Sequence, residues 1–314
     1  MDEQHLGRLL RELDGVDTLE ALSDRISPTD FTSLQLEVFC RRAAKVTPAD
    51  LMNRYREDRF VQRAQASVTG MLELDQLAFS IASAFEPVEL SPVCPFGTVS
   101  ALTKVSQKNV ISTSRNSEVV ADSTNCLALE CALRRTGGDT IRLCASHRLV
   151  RAQHYKGPAS FAHFRVFALC TAGRDTGNYS FELGSLSELL TTYLELLAAL
   201  RSRGWGIGSV TVSLTDFVGK REDALKEGLM GTLSLQFPDV QFQFNPDRQQ
   251  GRGYYDKVCF DISVLDDSGQ THSVADGGFV DWTRKLLNNQ KERFLIGGLG
   301  TERVCFLFRP ETTS

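Results

Sequence analysis

Apolar residues follow two different periods along the chain, and the period changes near residue 88. In the first part they recur every three or four positions, as the leucines of HLGRLLREL do, which is the spacing of one face of an α-helix. Pro28 and Pro48 each follow a hydroxyl residue that can cap a helix, and such pairs mark helix starts. The pattern therefore predicts an all-helical segment over residues 1–66, followed by an amphipathic helix over about 68–85.

Beyond this point, short strand-like runs alternate with turn residues and with further helical stretches. The strand-like runs are VELSPVCPF, NVISTS, SEVVAD, TIRLCASHRLVRAQ, FRVFALCTAG, SVTVSLTDF, VQFQF and YYDKVCFDISVLDD. Helical patterns occupy about residues 124–135, 185–203, 222–230 and 279–290, and a last strand, turn and helix begin at FLIGGLGTER. Strands and helices do not alternate one for one, as they would in a βαβ fold. We therefore predict an α+β fold, with an antiparallel sheet flanked by helices as a core over residues 67–314 and the helical segment as an N-terminal appendage.

Composition limits the class of protein. The 314 residues are 42% hydrophobic and 24% charged, which is typical of a soluble globular protein. The net charge of −4 gives no overall attraction to nucleic acid or to an anionic membrane, and no run of 18 apolar residues predicts a membrane span. The eight cysteines and five histidines are scattered without zinc-ligand spacing. We expect a cytoplasmic protein with reduced cysteines and no metal cluster.

Two arginine-centred segments carry the strongest chemical signal. Arg151 lies between two predicted strands at the edge of a polar loop, and Arg303 follows a glycine-rich turn on the first turn of a predicted helix. Two guanidinium groups and the N–H groups of a helix start can together hold a polyphosphate. A single arginine is more often a solvated surface residue, so the hypothesis depends on the pair. The common phosphate-loop, dinucleotide-binding and GxSxG motifs are absent from the sequence.

These segments resemble the signature motifs of the class II aminoacyl-tRNA synthetases. Arg151 with its loop and FAHF is similar to motif 2, GGLGTER is similar to motif 3, and FEPVELSP with Pro92 is similar to motif 1. Three further segments, VVADST, QGRGYYDKVCFD and ADGGFVDW, resemble parts of the histidyl-type core in the same order. The resemblance covers about residues 68–309. It implies an ATP-dependent ligase that forms an adenylate, and a homodimer built through motif 1.

The resemblance also implies nucleotide-binding and catalytic roles. Arg151 would bind the α-phosphate of ATP and stabilise charge during adenylation, and Arg303 would hold the γ-phosphate and the departing pyrophosphate. Phe161, or Phe164 if the register shifts, would stack on the adenine. Gly300 of motif 3 belongs to the same nucleotide-binding set. The implied cofactors are ATP and Mg²⁺.

The amino acid would bind beside the nucleotide. Asp122 and Thr124 would take the substrate ammonium group, and the tyrosine pair and the glycine backbone would line the side-chain pocket. The implied substrate-binding residues are Asp122, Thr124, Gln153, Tyr254, Tyr255, Gly277 and Gly278. Asp261 and Asp281 are the carboxylates best placed to bridge Mg²⁺ to the phosphates, although a carboxylate at a strand end is usually only solvated.

Three departures from the family pattern bear on activity. The Arg-x-Glu of motif 2 ends in Gln153 here. In the segment with the tyrosine pair, Gln250 stands where the family has an arginine, and Arg252 lies two positions further on. In the segment ADGGFVDW, Phe279 replaces the arginine of the family's Arg-Tyr-Asp. The chain also ends about ten residues after motif 3, so we expect no anticodon-binding domain and no anticodon-dependent tRNA binding.

Two functions remain open. The first is a free-standing synthetase paralogue that activates an amino acid or a related small carboxylic acid and transfers it to an acceptor such as a carrier protein, a small amine or a protein side chain. The second is a non-catalytic subunit that resembles the regulatory subunit of ATP phosphoribosyltransferase and binds that enzyme as its protein partner. A structural or RNA-binding paralogue is disfavoured by the acidic net charge.

Overall fold

The computed structural model describes residues 3–12, 17–135, 137–153 and 160–310. Its main body is a sheet of eight strands, and two further short strands form a ribbon beside it. The strands are β1 (Glu86–Pro87), β2 (Val93–Pro95), β3 (Ser117–Val119), β4 (Ile141–Val150), β5 (His163–Arg174), β6 (Val210–Asp216), β7 (Val240–Phe244), β8 (Val258–Leu265), β9 (Thr271–Val280) and β10 (Glu292–Leu299).

The strands of the main sheet lie in the order β1-β4-β5-β10-β9-β8-β6-β7. All neighbours from β4 to β6 are antiparallel, and the two outermost pairs, β1 with β4 and β6 with β7, are parallel. The strands β5, β10 and β9 at the centre therefore bring residues from three distant parts of the chain side by side. This confirms the predicted α+β fold with a sheet that is antiparallel except at its two edges.

Helices cover both faces of the sheet. The helices of the core are α5 (Val68–Ile81), α6 (Thr98–Leu102), α7 (Ser123–Arg134), α8 (Ser180–Ser202), α9 (Gly231–Gln236), α10 (Trp282–Leu286) and α11 (Thr301–Phe308), and a π-helical turn (Ala224–Met230) leads into α9. On one face α5, α8 and α11 pack on a large hydrophobic core, and on the other face α7 and α10 pack on a second one. Each helix buries the apolar stripe that its sequence period predicts.

Helix α8 is the longest of these helices and lies in the first core. Ser67 caps the neighbouring α5, and all leucines of α8 except Leu183 are buried. Among the described residues, α8 alone is long and apolar enough to cross a membrane by length and composition, and most of its apolar window is buried against the sheet. Its hydrophobicity is therefore accounted for by the packing of the core.

The segment before α5 is helical, as predicted. It contains α1 (Glu3–Glu12), α2 (Asp17–Glu20), α3 (Pro28–Ala43) and α4 (Pro48–Glu57), with caps from Ser27 and Thr47 at the two proline-marked starts. The side chains of α2, α3 and α4 are not buried. Contact with the core comes from the end of the segment, where the Arg59 guanidinium donates to the Ala152 carbonyl (3.0 Å) and the His163 ring Nε2 lies 2.6 Å from the Gln62 carbonyl.

Five sequence-based predictions need correction. The run NVISTS does not form a strand, because its first residue ends a 3₁₀ turn (Gln107–Asn109) and the backbone after it is irregular. The strand β9 was not predicted, since its polar and glycine residues (THSVADGG) resemble a turn. The helix expected from residue 279 begins at Trp282. The amphipathic helix ends at Ile81 rather than at residue 85. The predicted helix 222–230 is the π-helical turn, which α9 extends to Gln236.

A buried ion pair ties α7 to the centre of the sheet. The Arg135 guanidinium donates to both oxygens of Glu292 at 2.9 and 3.0 Å, and the two side chains are only 1% and 2% exposed. Arg174 donates to the same carboxylate at 3.3 Å. Removal of one partner from such a pair leaves the other charge buried without compensation.

We expect Glu292→Gln to lower the free energy of unfolding by about 3–5 kcal/mol, because it strands the Arg135 charge. Urea unfolding followed by circular dichroism measures the loss. The matched control is Glu37→Gln, which removes the exposed partner of Arg41 in α3 and should cost less than about 0.5 kcal/mol. Equal effects of the two variants would contradict this assignment.

Candidate functional site

A cavity of about 510 Å³ opens on the face of the sheet that α7 covers. Side-chain alternation determines which strand residues reach it. On β8, Phe260 and Ile262 point into the α8 core, so Asp261 between them points to the cavity, and on β9 Asp276 does the same after Ala275. Of the predicted site residues, the cavity wall contains Asp122, Thr124, Arg151, Gln153, Phe161, Phe164, Tyr254, Tyr255, Gly300 and Arg303.

Asp122 lies at the N-terminus of α7 and caps it. One carboxylate oxygen accepts the Thr124 N–H at 3.0 Å and the Thr124 hydroxyl at 2.7 Å, which is the usual reason for an aspartate at this position. The other oxygen accepts the Tyr254 hydroxyl at 3.3 Å and the Arg151 guanidinium at 3.4 Å. Four donors from three separate segments therefore converge on one carboxylate.

Arg151 is the first residue after β4. Its backbone N–H donates to the Ala162 carbonyl at 2.9 Å, which continues the pairing of β4 with β5. Its side-chain Nε donates to the Ala121 carbonyl at 2.8 Å, and its guanidinium carbon lies 5.2 Å from the centre of the Phe164 ring. These contacts direct the guanidinium into the cavity, where the side chain is 32% exposed.

Arg303 stands on the first turn of α11, at the other side of the cavity. Its guanidinium donates to the Ser273 carbonyl at 2.9 Å, and the residue is exposed. Gly300 begins the helix, and a Cβ atom there would lie 3.5 Å from the Cβ of Arg303. The Phe161 ring meets Phe306 of the same helix edge to face, with centroids 5.5 Å apart. The aromatic and cationic groups that the motifs predicted thus share one cavity.

The tyrosine pair forms one wall of the cavity. The rings of Tyr254 and Tyr255 meet edge to face at 5.1 Å, and Tyr254 also meets Trp282 at 5.8 Å. Tyr254 donates to Asp122, whereas Tyr255 donates to Asp276 at 2.9 Å. Burial raises the pKa of both phenols well above the ordinary value, with the nearby carboxylates adding to the effect, so both remain protonated donors.

Several residues lie elsewhere than the sequence suggested. Gly277 and Gly278 are not on the cavity wall, because a Cβ on Gly277 would meet Phe260 in the α8 core and one on Gly278 would meet the Tyr255 ring at 2.7 Å. The second glycine thus makes room for the tyrosine. Arg252 also lies off the wall, with its guanidinium carbon 4.9 Å from the centre of the Phe217 ring.

The carboxylate of Asp281 lies outside the cavity as well. It is 2.9 Å from Lys285 and 3.7 Å from Arg284, both on the helix that follows. The expectation that Asp281 bridges Mg²⁺ to phosphates in this cavity is therefore wrong. The carboxylate of Asp261 does face the cavity, where it accepts the hydroxyls of Ser263 at 2.6 Å and Ser273 at 2.5 Å.

Among the wall residues that were not predicted, three bear on the chemistry of the cavity. One terminal guanidinium nitrogen of Arg248 is buried. Asn125 is 99% buried, and both the oxygen and the nitrogen of its amide are buried. None of these three atoms has a hydrogen-bond partner among the described residues. Asp276 is the third. Arg248 lies two positions before Gln250, and the glycines of β9 interrupt the alternation that would have placed Asp276 on a strand.

Asp276 lies in an unusual electrostatic environment. The residue is exposed to the cavity, yet the protein around its carboxylate desolvates it and raises its pKa, while the Tyr255 hydroxyl, Arg151 and Arg248 act in the opposite direction. Asp261 lies directly across from it on the paired strand and raises the pKa further. Like charges opposite each other in a sheet are destabilising. The cavity therefore holds a carboxylate that the fold does not fully compensate.

No protein-family model matches the chain. Among curated proteins, histidine–tRNA ligase from Phytoplasma mali (strain AT) is 32% identical over 101 residues, which is 32% of this chain and 22% of that protein. The chain thus matches only about a fifth of that relative's length.

Solved structures of low sequence identity share the fold. Apo histidyl-tRNA synthetase from S. aureus matches with a TM-score of 0.55 at 12% identity, over 76% of this chain and 64% of that one. An ATP phosphoribosyltransferase regulatory subunit/histidyl-tRNA synthetase from Bacillus halodurans C matches with 0.55 at 12%, over 79% and 81%. A chain of the ATP phosphoribosyl transferase (HisG:HisZ) complex from Thermotoga maritima matches with 0.50 at 14%, over 73% and 96%.

The fold is that of the class II aminoacyl-tRNA synthetase catalytic core. Within this class, the fold is similar to that of histidyl-tRNA synthetase structures, and part of the chain is 32% identical to part of a histidine–tRNA ligase.

We expect Asp276→Asn to stabilise the protein at neutral pH. The pKa of Asp276 is raised above its ordinary value of 3.8, so its ionised form favours unfolding, and stability is lost as the pH rises through the raised value. The amide still accepts from Tyr255 but carries no charge. Thermal unfolding should therefore occur at a higher temperature than in the wild type at pH 7, and the difference should disappear below the ordinary pKa of 3.8.

The control for this prediction is Asp239→Asn, which removes an exposed carboxylate at the start of β7. It should leave the pH dependence of unfolding unchanged. A variant Asp276→Asn that is less stable than the wild type at neutral pH would contradict the electrostatic interpretation.

Proposed function

We propose that the cavity binds ATP with an amino acid or a related small carboxylic acid and joins them as an adenylate. The observation that supports this best is the presence of Arg151, Asp122 and Arg303 on one cavity wall, each in the motif context that the class II core uses. The volume of about 510 Å³ lies within the usual range for small-ligand sites.

The proposed reaction is a displacement at the α-phosphorus of ATP. A carboxylate oxygen of the substrate attacks phosphorus, the new C–O–P linkage forms, and the bond to the bridging oxygen breaks so that pyrophosphate leaves with the electron pair. Negative charge grows on the phosphoryl oxygens and on the leaving group. Arg151 would stabilise the first and Arg303 the second, and fixed guanidinium groups do this without reorganisation of solvent.

Arg151 can change partner without leaving its position. Its bond to the Asp122 oxygen is long at 3.4 Å, whereas its Nε bond to the Ala121 carbonyl is 2.8 Å. A charge-assisted hydrogen bond is normally about 2.7–2.9 Å, so the Asp122 contact is the weaker of the two. A phosphate that replaced the long Asp122 contact would leave the Nε contact to Ala121, which holds the side chain in place.

Mg²⁺ would accompany the triphosphate. In the part of the chain described here, no group of three or more histidine, cysteine, aspartate or glutamate side chains is arranged to hold an ion. Mg²⁺ commonly binds through substrate phosphates, water and one or two carboxylates, so most of its ligands would come from ATP itself. On the protein, the aspartates that face the cavity carry the carboxylates within reach of such a complex.

We propose further that the acyl group passes to an acceptor other than a tRNA recognised by its anticodon, for example a carrier protein. A net charge of −4 gives no general attraction to a polyanion. The eight cysteines are all free thiols, which fits a reducing compartment such as the cytoplasm.

A second candidate function is that of a non-catalytic regulatory subunit with a phosphoribosyltransferase as its partner. Two observations favour it. The motif 2 position after Ala152 is Gln153 rather than a glutamate, and the Asp122 carboxylate already accepts four donors, so the site is partly satisfied by its own residues. In addition, the fold is shared with a regulatory subunit and with a chain of a phosphoribosyl transferase complex.

The test is exchange of labelled pyrophosphate into ATP, measured with each common amino acid in turn. We expect exchange with at least one of them and a loss of about a thousandfold in Arg151→Ala, since one transition-state donor is worth roughly 10²–10³ in rate. The control is Arg115→Ala, which removes an exposed arginine that is not on the cavity wall. Silence with every amino acid, together with co-purification of a phosphoribosyltransferase, would favour the regulatory function.

We also propose that two copies associate through α5. Val68 and Leu72 lie one turn apart on this helix and are 74% and 62% exposed, which is unusual for large apolar residues on one face. A two-fold axis beside the helix would bury the same patch on both copies. The resemblance to motif 1 points to the same surface.

We expect the wild type to be a dimer and Leu72→Glu to be a monomer, because a charge would then be buried at the interface. Sedimentation velocity at micromolar concentration separates the two. The matched control is Leu235→Glu in α9, where the leucine is 87% exposed on another part of the molecule. A monomeric wild type, or dissociation in both variants, would contradict the proposal.

A further inference from the structure

One end of the cavity contains two carboxylates on neighbouring strands. Asp261 and Asp276 are directly opposite each other on β8 and β9, and both face the cavity. Asp261 is satisfied by two serine hydroxyls. Among the described residues, Asp276 accepts one hydrogen bond, from Tyr255 at 2.9 Å, and forms no ion pair.

The neighbouring cations do not neutralise this carboxylate. Arg151 is directed to Ala121 and Asp122, and Arg248 donates through its Nε to the Gln250 carbonyl at 3.0 Å. Both lie near enough to lower the pKa of Asp276, but neither outweighs its desolvation. A carboxylate that stays accessible and uncompensated inside a cavity is well suited to receive a cation from outside.

An independent feature of the wall also favours a polar ligand. Asn125 is 99% buried, and its amide oxygen and nitrogen have no hydrogen-bond partner among the described residues. Such a group costs stability unless something polar reaches it. It lies three residues after Asp122 on the same cavity wall, so a ligand held at Asp122 would extend past it.

The tyrosine pair connects the two acidic positions. Tyr254 donates to Asp122 and Tyr255 donates to Asp276, and their rings are in contact at 5.1 Å. The cavity thus offers one carboxylate at each end of a single aromatic wall. A ligand that lies along this wall would meet apolar surface between two groups that prefer positive charge.

We propose that the ligand of this cavity is an amino acid with a second cationic nitrogen on an aliphatic side chain, as in lysine, ornithine or arginine, and that Asp276 receives this nitrogen. The inference rests on the proposed function in that the ligand is an amino acid whose α-ammonium group lies at Asp122. Asp261 supports Asp276 through its charge, and Asn125 supplies an amide beside Asp122, at the α-ammonium end of the ligand. The aliphatic part of the side chain lies against the tyrosine rings.

The test compares lysine with norleucine, which has the same chain length and a methyl group in place of the ammonium group. Binding to the full chain is measured by calorimetry with and without ATP and Mg²⁺, and pyrophosphate exchange is measured with the same compounds and with ornithine and arginine. We expect at least one cationic amino acid to bind about tenfold or more tightly than norleucine, since a desolvated charge pair is worth more than 1.4 kcal/mol.

The variant Asp276→Asn should remove this preference and leave the weak binding of norleucine unchanged. The variant is expected to fold, because it relieves an uncompensated charge. Asp239→Asn, outside the cavity, is the matched control and should keep the preference.

The outcomes separate this inference from the proposed adenylation. Selective binding of a cationic amino acid that Asp276→Asn abolishes, without any exchange, would support the inference and contradict adenylation. Exchange with neutral amino acids that Asp276→Asn leaves unchanged would support adenylation and overturn the inference. Failure of every cationic amino acid to bind would overturn the inference too. The inference would also be overturned if the only effect of Asp276→Asn were on the Mg²⁺ requirement of ATP binding.

Discussion

The convergence of donors on Asp122 is the interaction on which the site depends. The carboxylate starts α7, and it also holds the ends of two segments that are distant in sequence, one through Arg151 and one through Tyr254. An aspartate at a helix start is stabilising on its own account, because it satisfies N–H groups that the helix leaves open and meets the positive end of the helix dipole. Local stability and the assembly of the cavity therefore come from one side chain. Its two longer bonds, at 3.3 and 3.4 Å, are the ones that a ligand can replace.

Asp276 illustrates the opposite relation between stability and function. The fold gives it one hydroxyl donor and places a second carboxylate across the strand pair, so its ionised form opposes folding. The buried Arg135–Glu292 pair shows that the same sheet can neutralise a carboxylate fully where only structure is at stake. An uncompensated group is the expected signature of a binding site, because preorganised charge is useful to a ligand and costly to the empty protein.

Much of the architecture could be predicted from the sequence because it depends on local patterns. Helical spacing and capping residues predicted α5, α7 and α8 to within a few residues, and the order of the motifs predicted the type of core. The strand β9 could not be recognised, since Gly277 and Gly278 lack the side chains that produce alternation, although close packing against Phe260 and Tyr255 requires glycine at both positions. Asn125 and Arg248 could not be recognised either. Their significance comes from burial without partners, and that is a property of the assembled fold rather than of neighbouring residues.

The two candidate functions make the same demand on the ligand end of the cavity and differ at the phosphate end. Asp276, Asn125 and the tyrosine pair can hold an amino acid whether or not it is activated, since none of them would touch the reacting phosphorus. Activation depends on whether Arg151 leaves Asp122 for a phosphate, and the long contact between them keeps both states accessible. If Arg151 stays with Asp122, the same cavity senses an amino acid without chemistry. For this chain, the two proposed functions would therefore differ in whether Asp122 or a phosphate holds the Arg151 guanidinium group.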